Sequence, residues 1–218
     1  RAQVVLQDWR LEPRDGRVRM LFLGDVSLGR RFVDPDELAG LTELPADHPE
    51  AMIRASDPEP GARAVATWMA PLVELADFSA LNFESPVTDD PATPHPDPNK
   101  RYTFFSLPGT LAFLDALGVS MVSLGNNHQY DYLEAGVADT LEHVGASGVP
   151  HVGLGQDGDE AWEPHVREIG GTSYAFFGAS SITGNQYTVG FNASADRGGS
   201  ADLTDDDALA AAVGAAVT

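Results

Sequence analysis

Four polar residues in the sequence are of types that bind metal ions or transfer protons: Asp25, Glu84, Asn127 and His128. Carboxylate and amide oxygens favour Mg, Mn, Fe or Zn, and an imidazole shifts the preference towards transition metals. A carboxylate in a bridging position can hold two such ions about 3.5–4 Å apart. The simpler interpretation, that these side chains cap helices and close turns, stays open, above all for Asp25 taken alone.

Three short apolar segments precede these polar residues along the chain. Val18–Leu23, Phe78–Phe83 and Val119–Leu124 have the composition of buried strands, and segments with helical spacing lie between them. This alternation of strands and helices predicts an α/β fold with a mainly parallel sheet. The carboxyl ends of parallel strands share one edge of the sheet, where ligands bind. We therefore expect the four polar side chains to meet in one crevice.

The second half of the chain adds further local signals. The segment Val166–Phe177, with Gly170-Gly171 at its centre, predicts a β-hairpin with a two-residue turn, which would make the sheet mixed. Asp131 with Glu134 three residues later predicts a capping box at a helix start. Thr204 is predicted to cap the last helix.

A proline-rich segment, Ser85–Leu107, lies between the second strand and the next helix. A loop of this length inside a compact domain is uncommon and often functional, although a solvated surface loop is an equal alternative. His95 in this segment, and His48 in an earlier proline-rich stretch, are expected to be solvated.

Composition limits the classes of partner. The 218 residues include 33 Asp and Glu against 13 Lys and Arg, which gives a formal net charge of −20. Such a surface repels nucleic acids and anionic lipids, so neither is an expected partner. The sequence has no cysteine, which excludes disulfides and thiolate metal ligands. It also has no apolar run long enough to span a bilayer, so membrane contact is expected only through segments outside this chain. The acidic balance is typical of secreted or salt-adapted proteins.

Three motifs in order resemble those of a known family. Gly24–Arg30 (GDVSLGR), Asn82–Pro86 (NFESP) and Gly125–His128 (GNNH) are similar to successive motifs of the CapA family of poly-gamma-glutamate capsule biosynthesis proteins. That family belongs to the calcineurin-like metallophosphatase superfamily, so the resemblance implies a layered α/β sandwich. Residues 148–153 (GVPHVG) fit the family's continuation, and His151 within them would lie near the site.

The resemblance also implies roles for the polar residues. Asp25 matches the first metal-ligand aspartate, Glu84 occupies the position of a bridging carboxylate, and Asn127 matches the amide ligand. His128 matches the histidine that assists the leaving group. The expected cofactor is a divalent metal, Mn, Zn, Fe or Mg, with two ions in the full-length protein.

Other positions would support or qualify these roles. Arg30 would bind an anionic group of the substrate, and Asn82 and Asn126 would brace the ligands. Ser27 stands where the superfamily has a histidine ligand, and the later histidine-rich family segments do not occur before Thr218. We therefore expect residues 1–218 to be the N-terminal portion of a single domain, apparently truncated at its C-terminus, that binds metal weakly or not at all.

Three functions follow as alternatives. The first is a metal-dependent hydrolase of phosphoryl or amide bonds that acts on an anionic polymer, poly-gamma-glutamate or a related cell-surface polymer, or on a small molecule. The second is a non-catalytic binding or scaffold module. The third is a serine hydrolase of the SGNH type with Ser27 as nucleophile, which lacks the late Asp-x-x-His block. An extracellular or cell-envelope location is expected, and an incomplete sheet would favour association of copies into a homo-oligomer.

Overall fold

The computed structural model describes residues 16–29, 33, 52–100 and 102–217. The strands in chain order are β1 (Met20–Val26), β2 (Phe78–Phe83), β3 (Met121–Ser123), β4 (His151–Val152), β5 (Leu154–Gly155), β6 (His165–Ile169), β7 (Thr172–Phe176) and β8 (Gly199–Ser200). The α-helices are α1 (Pro58–Ala66), α2 (Ala70–Val73), α3 (Ala112–Leu117), α4 (Leu133–Ser147), α5 (Gly158–Ala161) and α6 (Asp206–Ala216). A 3-10 turn, Pro108–Leu111, leads into α3.

A four-stranded parallel sheet in the order β1-β2-β3-β4 forms the centre of the fold. Helices cover one face of it: Ala62 of α1, Leu114 of α3 and Val144 of α4 are fully buried in one core with Phe83 and Val122 of the sheet. Strand β2 is buried almost throughout, as expected for an inner parallel strand covered on both faces. The predicted α/β fold with a mainly parallel sheet is confirmed.

The predicted hairpin forms and covers the opposite face of this sheet. Strands β6 and β7 pair in antiparallel register around Gly170 and Gly171, whose φ angles are 61° and 81°. The hairpin is a separate two-stranded sheet, so it adds a layer instead of making the central sheet mixed. Phe176 of β7 stacks on Phe78 of β2 with ring centroids 4.1 Å apart. Burial of one such ring stabilises the fold by about 1.5–3 kcal/mol. The fold is therefore a layered α/β sandwich.

Both cap predictions for the helices are wrong. Helix α4 begins at Leu133 with no side-chain cap, because the Asp131 carboxylate accepts hydrogen bonds from other parts of the chain instead. Helix α6 is capped by Asp205, which accepts a hydrogen bond from the Ala208 N–H at 2.9 Å, one residue after the predicted Thr204.

Candidate functional site

A β-bulge in β1 determines which way Asp25 faces. Phe22 pairs with Ala80, but the next pair is Asp25 with Asn82, so two residues of β1 lie opposite one residue of β2. Because successive side chains of a strand alternate between faces, the extra residue moves Asp25 to the face that Asn82 shares. The Asn82 side-chain amide then donates a hydrogen bond to Asp25 Oδ1 at 2.8 Å.

A chain of amide side chains continues from Asn82 across the sheet edge. Asn126 Nδ2 donates to Asn82 Oδ1 at 2.9 Å and to the backbone carbonyl of Phe83 at 3.1 Å. Asn126 Oδ1 in turn accepts a hydrogen bond from the His128 N–H at 3.0 Å. Asn126 itself is 7% exposed, and its hydrogen bonds to Asn82 and to the His128 N–H are partly buried. The ends of β1, β2 and β3 are thus joined by side chains, and the role of Asn82 and Asn126 in bracing metal ligands stays a prediction.

Glu84 lies beside this chain of amides. Its N–H donates to the Val26 carbonyl at 2.8 Å, which continues the β1–β2 ladder. Burial raises the pKa of the Glu84 carboxyl, the negative charge of Asp25 raises it further, and His128 lowers it. Glu84 directly follows the end of β2, and its backbone bond to Val26 places it next to the end of β1, which carries Asp25.

His128 is held by two neighbours. Its Nδ1 lies 2.8 Å from Asp131 Oδ2, and its ring stacks on Phe104 with centroids 3.9 Å apart and planes 12° from parallel. The Phe104 N–H donates to the same Asp131 oxygen at 2.6 Å. A carboxylate acceptor at this distance favours the tautomer in which Nδ1 carries the proton and Nε2 is the ring atom left for other partners.

We call Asp25, Asn82, Glu84, Asn126, Asn127 and His128 together the rim site. Within the site, Asn127 is partly buried, and its side chain makes no hydrogen bond with the described residues. The sequence pattern predicts a helix cap at Asp131 and does not predict a contact with His128. Its spacing of three residues from His128 is the signal that could have revealed its contact with the imidazole.

The donor groups of the rim site do not by themselves complete a metal site. Among the described residues, no three His, Asp or Glu side chains are grouped closely enough to hold an ion. The side-chain oxygens of Asn82 and Asn126 already accept hydrogen bonds, which leaves them poor ligands. The metal-binding roles of Asp25, Glu84 and Asn127 therefore stay predictions, and no reaction step is assigned to an ion.

The remaining predicted residues are placed less favourably. Arg30 lies outside the described residues. Ser27 Oγ is buried and has no hydrogen-bond partner among the residues that the structure describes. His151 lines a separate cavity of about 330 Å³ with Glu160 and His165, and burial lowers its pKa. That cavity contains no rim-site residue among its lining residues.

Comparison with known families agrees with this architecture. The family model described as bacterial capsule synthesis protein PGA_cap matches residues 19–216. The chain belongs to this family. The CapA resemblance of the three motifs is thereby confirmed, and it relates the chain to capsule synthesis and to the cell envelope. No individually curated protein matches the sequence significantly. None of the described helices has the length and apolar character needed to cross a membrane.

Proposed function

We propose that this capsule-synthesis family member hydrolyses a phosphoryl or amide bond during synthesis, export or turnover of a cell-surface polymer. The observation that supports this best is the contact of His128 Nδ1 with Asp131, on a residue that hydrogen bonds through Asn126 and Asn82 link to Asp25. Hydrolysis joins the water oxygen to phosphorus or to the carbonyl carbon, the attacking water releases a proton to solvent, and the departing oxygen or nitrogen must take up a proton as its bond breaks. The Nε2–H group of a protonated His128 would supply the proton to the departing atom. Proton transfer by a positioned side chain raises the reaction rate by about 10²–10⁴-fold.

The proposed substrate is poly-gamma-glutamate or a related anionic polymer, or a small-molecule precursor of one. Family membership supports a cell-surface polymer as the substrate. The protein's net charge of −20 would repel an anionic polymer. Arg30 remains the proposed contact for an anionic group. Mn, Zn, Fe or Mg remains the proposed cofactor, as one ion or two, with Asp25, Glu84 and Asn127 among its ligands.

A hydrolysis assay tests this proposal. The purified protein is incubated with poly-gamma-glutamate and with a chromogenic phosphomonoester, with and without Mn²⁺ or Zn²⁺. We expect turnover that falls by about 10²-fold or more in His128→Ala. His143→Ala is the matched control, because His143 lies on α4 and pairs with exposed Asp89 instead of the rim site. The absence of turnover of every substrate, with each metal, would refute the proposal.

The second candidate is a non-catalytic binding or scaffold module of the same family. The specific observation in its favour is that the described residues include no three-ligand metal group. Polymer production in a producing strain separates the two functions. Normal production with Asp25→Ala and with His128→Ala would favour the binding module, whereas loss of production with both would favour catalysis.

Location and assembly are also proposals. Family membership relates the chain to the cell envelope, and we propose that it works outside the cytoplasm. We also propose a homo-oligomer, in which Phe22 on β1 and Trp68 after α1, 64% and 65% exposed, are candidate apolar contacts between copies. Sedimentation of the purified chain would test for a homo-oligomer. A monomer at high concentration would exclude it.

A further inference from the structure

Lys100 is the only lysine in the sequence, and it is buried. Its side chain is 4% exposed, and its Nζ lies 2.5 Å from Oδ1 of Asp131, which is completely buried. The ammonium group also lies over the Phe191 ring, 4.5 Å from the centroid. Lysine is almost never buried without a partner, because removing an ammonium group from water is costly. The position of this one lysine therefore needs a specific reason.

Asp131 connects Lys100 to the rim site. Lys100 occupies Oδ1 of the carboxylate, whereas Oδ2 accepts hydrogen bonds from the Phe104 N–H and from His128 Nδ1. The two oxygens of a carboxylate are rigidly linked, so an ion pair at one oxygen limits rotation of the other. The ammonium group also balances the charge of a carboxylate that has no contact with water.

The segment that carries Lys100 is itself fixed to the rest of the fold. The His95 N–H donates to the Asp131 backbone carbonyl at 2.7 Å, and Asp97 Oδ2 accepts a hydrogen bond from the Thr188 N–H at 3.0 Å. His95 is only 5% exposed, so the expectation that it is solvated is wrong. The proline-rich segment thus holds Lys100 in place instead of forming a free loop.

We propose that Lys100 is a positioning residue of the rim site. It holds Asp131 so that His128 keeps its proton on Nδ1 and presents Nε2 as the reactive ring atom. Lys100 does not contact His128 and acts only through the Asp131 carboxylate. The consequence for turnover rests on the proposed hydrolase function, but the consequence for the imidazole tautomer does not.

The tautomer of His128 can be read directly by ¹⁵N NMR of histidine-labelled protein. Spectra are recorded at about pH 9, well above the ordinary histidine value of about 6.5, so that neutral imidazole is observed. The His128 signals are assigned by their loss in His128→Gln. We expect protonated Nδ1 and unprotonated Nε2 in the wild type. In Lys100→Met we expect both tautomers, because the carboxylate is no longer held in one orientation, and Lys100→Arg should restore the single tautomer.

Rates and folding are measured on the same variants. We expect kcat to fall about 10–100-fold in Lys100→Met with little change in KM, and to recover largely in Lys100→Arg. If Lys100→Met fails to fold because Asp131 is left unpaired, the double variant Lys100→Met with Asp131→Asn removes both charges. That double variant is also expected to show both tautomers.

The possible outcomes separate this inference from the proposed hydrolase. A wild-type His128 with its proton on Nε2 overturns the inference, as does a single Nδ1–H tautomer in folded Lys100→Met or in the folded double variant. Both His128 tautomers in these variants support the inference. If the wild type at the same time shows no turnover, the inference stands and the proposed hydrolase is refuted. Turnover by the wild type that is unchanged in Lys100→Met overturns the inference and leaves the hydrolase intact.

Discussion

Replacing Asn126 with alanine would remove the side chain that joins three strand ends. Asn126 donates to Asn82 and to the Phe83 carbonyl, and it accepts from the His128 N–H. The Phe83 carbonyl keeps a second donor, Gln129 Nε2 at 2.6 Å. The substitution would therefore leave Asn82 Oδ1 and the His128 N–H as the two groups that lose their partner in the rim site.

The expected loss in the free energy of unfolding follows from these hydrogen bonds. A neutral hydrogen bond contributes about 0.5–1.5 kcal/mol net, and an orphaned buried group costs about 1–3 kcal/mol. Because the rim site borders solvent, water can compensate part of the loss, and we expect Asn126→Ala to lower the free energy of unfolding by about 2–4 kcal/mol. A loss of 3 kcal/mol in a domain of this size corresponds to a decrease of about 6–12 °C in Tm.

Urea denaturation followed by circular dichroism measures this change, and Asn127→Ala is the matched control. Asn127 is the adjacent amide, but its side chain makes no hydrogen bond with the described residues, so we expect its replacement to change stability by less than about 0.5 kcal/mol. The two variants should thus differ clearly although their sequence positions are neighbours. Equal stability of both variants within about 0.5 kcal/mol would refute the bracing role of Asn126.

Two further predictions concern backbone packing and pH. Gly125→Ala should destabilise the protein strongly, because a Cβ there would lie 2.3 Å from the backbone nitrogen of Ala179. Gly145→Ala in α4, where a Cβ meets nothing within 4 Å, should raise the free energy of unfolding by about 0.5–1 kcal/mol, and thermal melts of both variants check this contrast. Burial, and then the charge of Lys100, lower the pKa of His95, so its contribution to stability is present above about pH 6.5 and is lost as pH falls through its lowered pKa. Unfolding at about pH 8 and about pH 5 should therefore show a smaller acid loss in His95→Asn than in the wild type, and an equal loss in both would contradict this.

Local patterns predicted much of the fold because each depends on nearby residues only. The β2 segment Phe78–Phe83 is found with the predicted bounds, and the Gly170-Gly171 turn forms where the two glycines can adopt positive φ. The predicted caps failed for a different reason. Asp131 has the sequence context of a cap, but its carboxylate meets Lys100, Phe104 and His128, which propensity rules do not consider.

For the rim site, the sequence by itself determined which chemical groups stand at the strand ends and the family to which they belong. The order of polar residues along the chain suffices for this, because parallel strands present their carboxyl ends at one edge. Only the tertiary structure decided that a bulge turns Asp25 towards Asn82, and that the one lysine pairs with Asp131. Both depend on contacts between residues far apart in sequence, where strand register and the burial of charge, and not local pattern, select the partner.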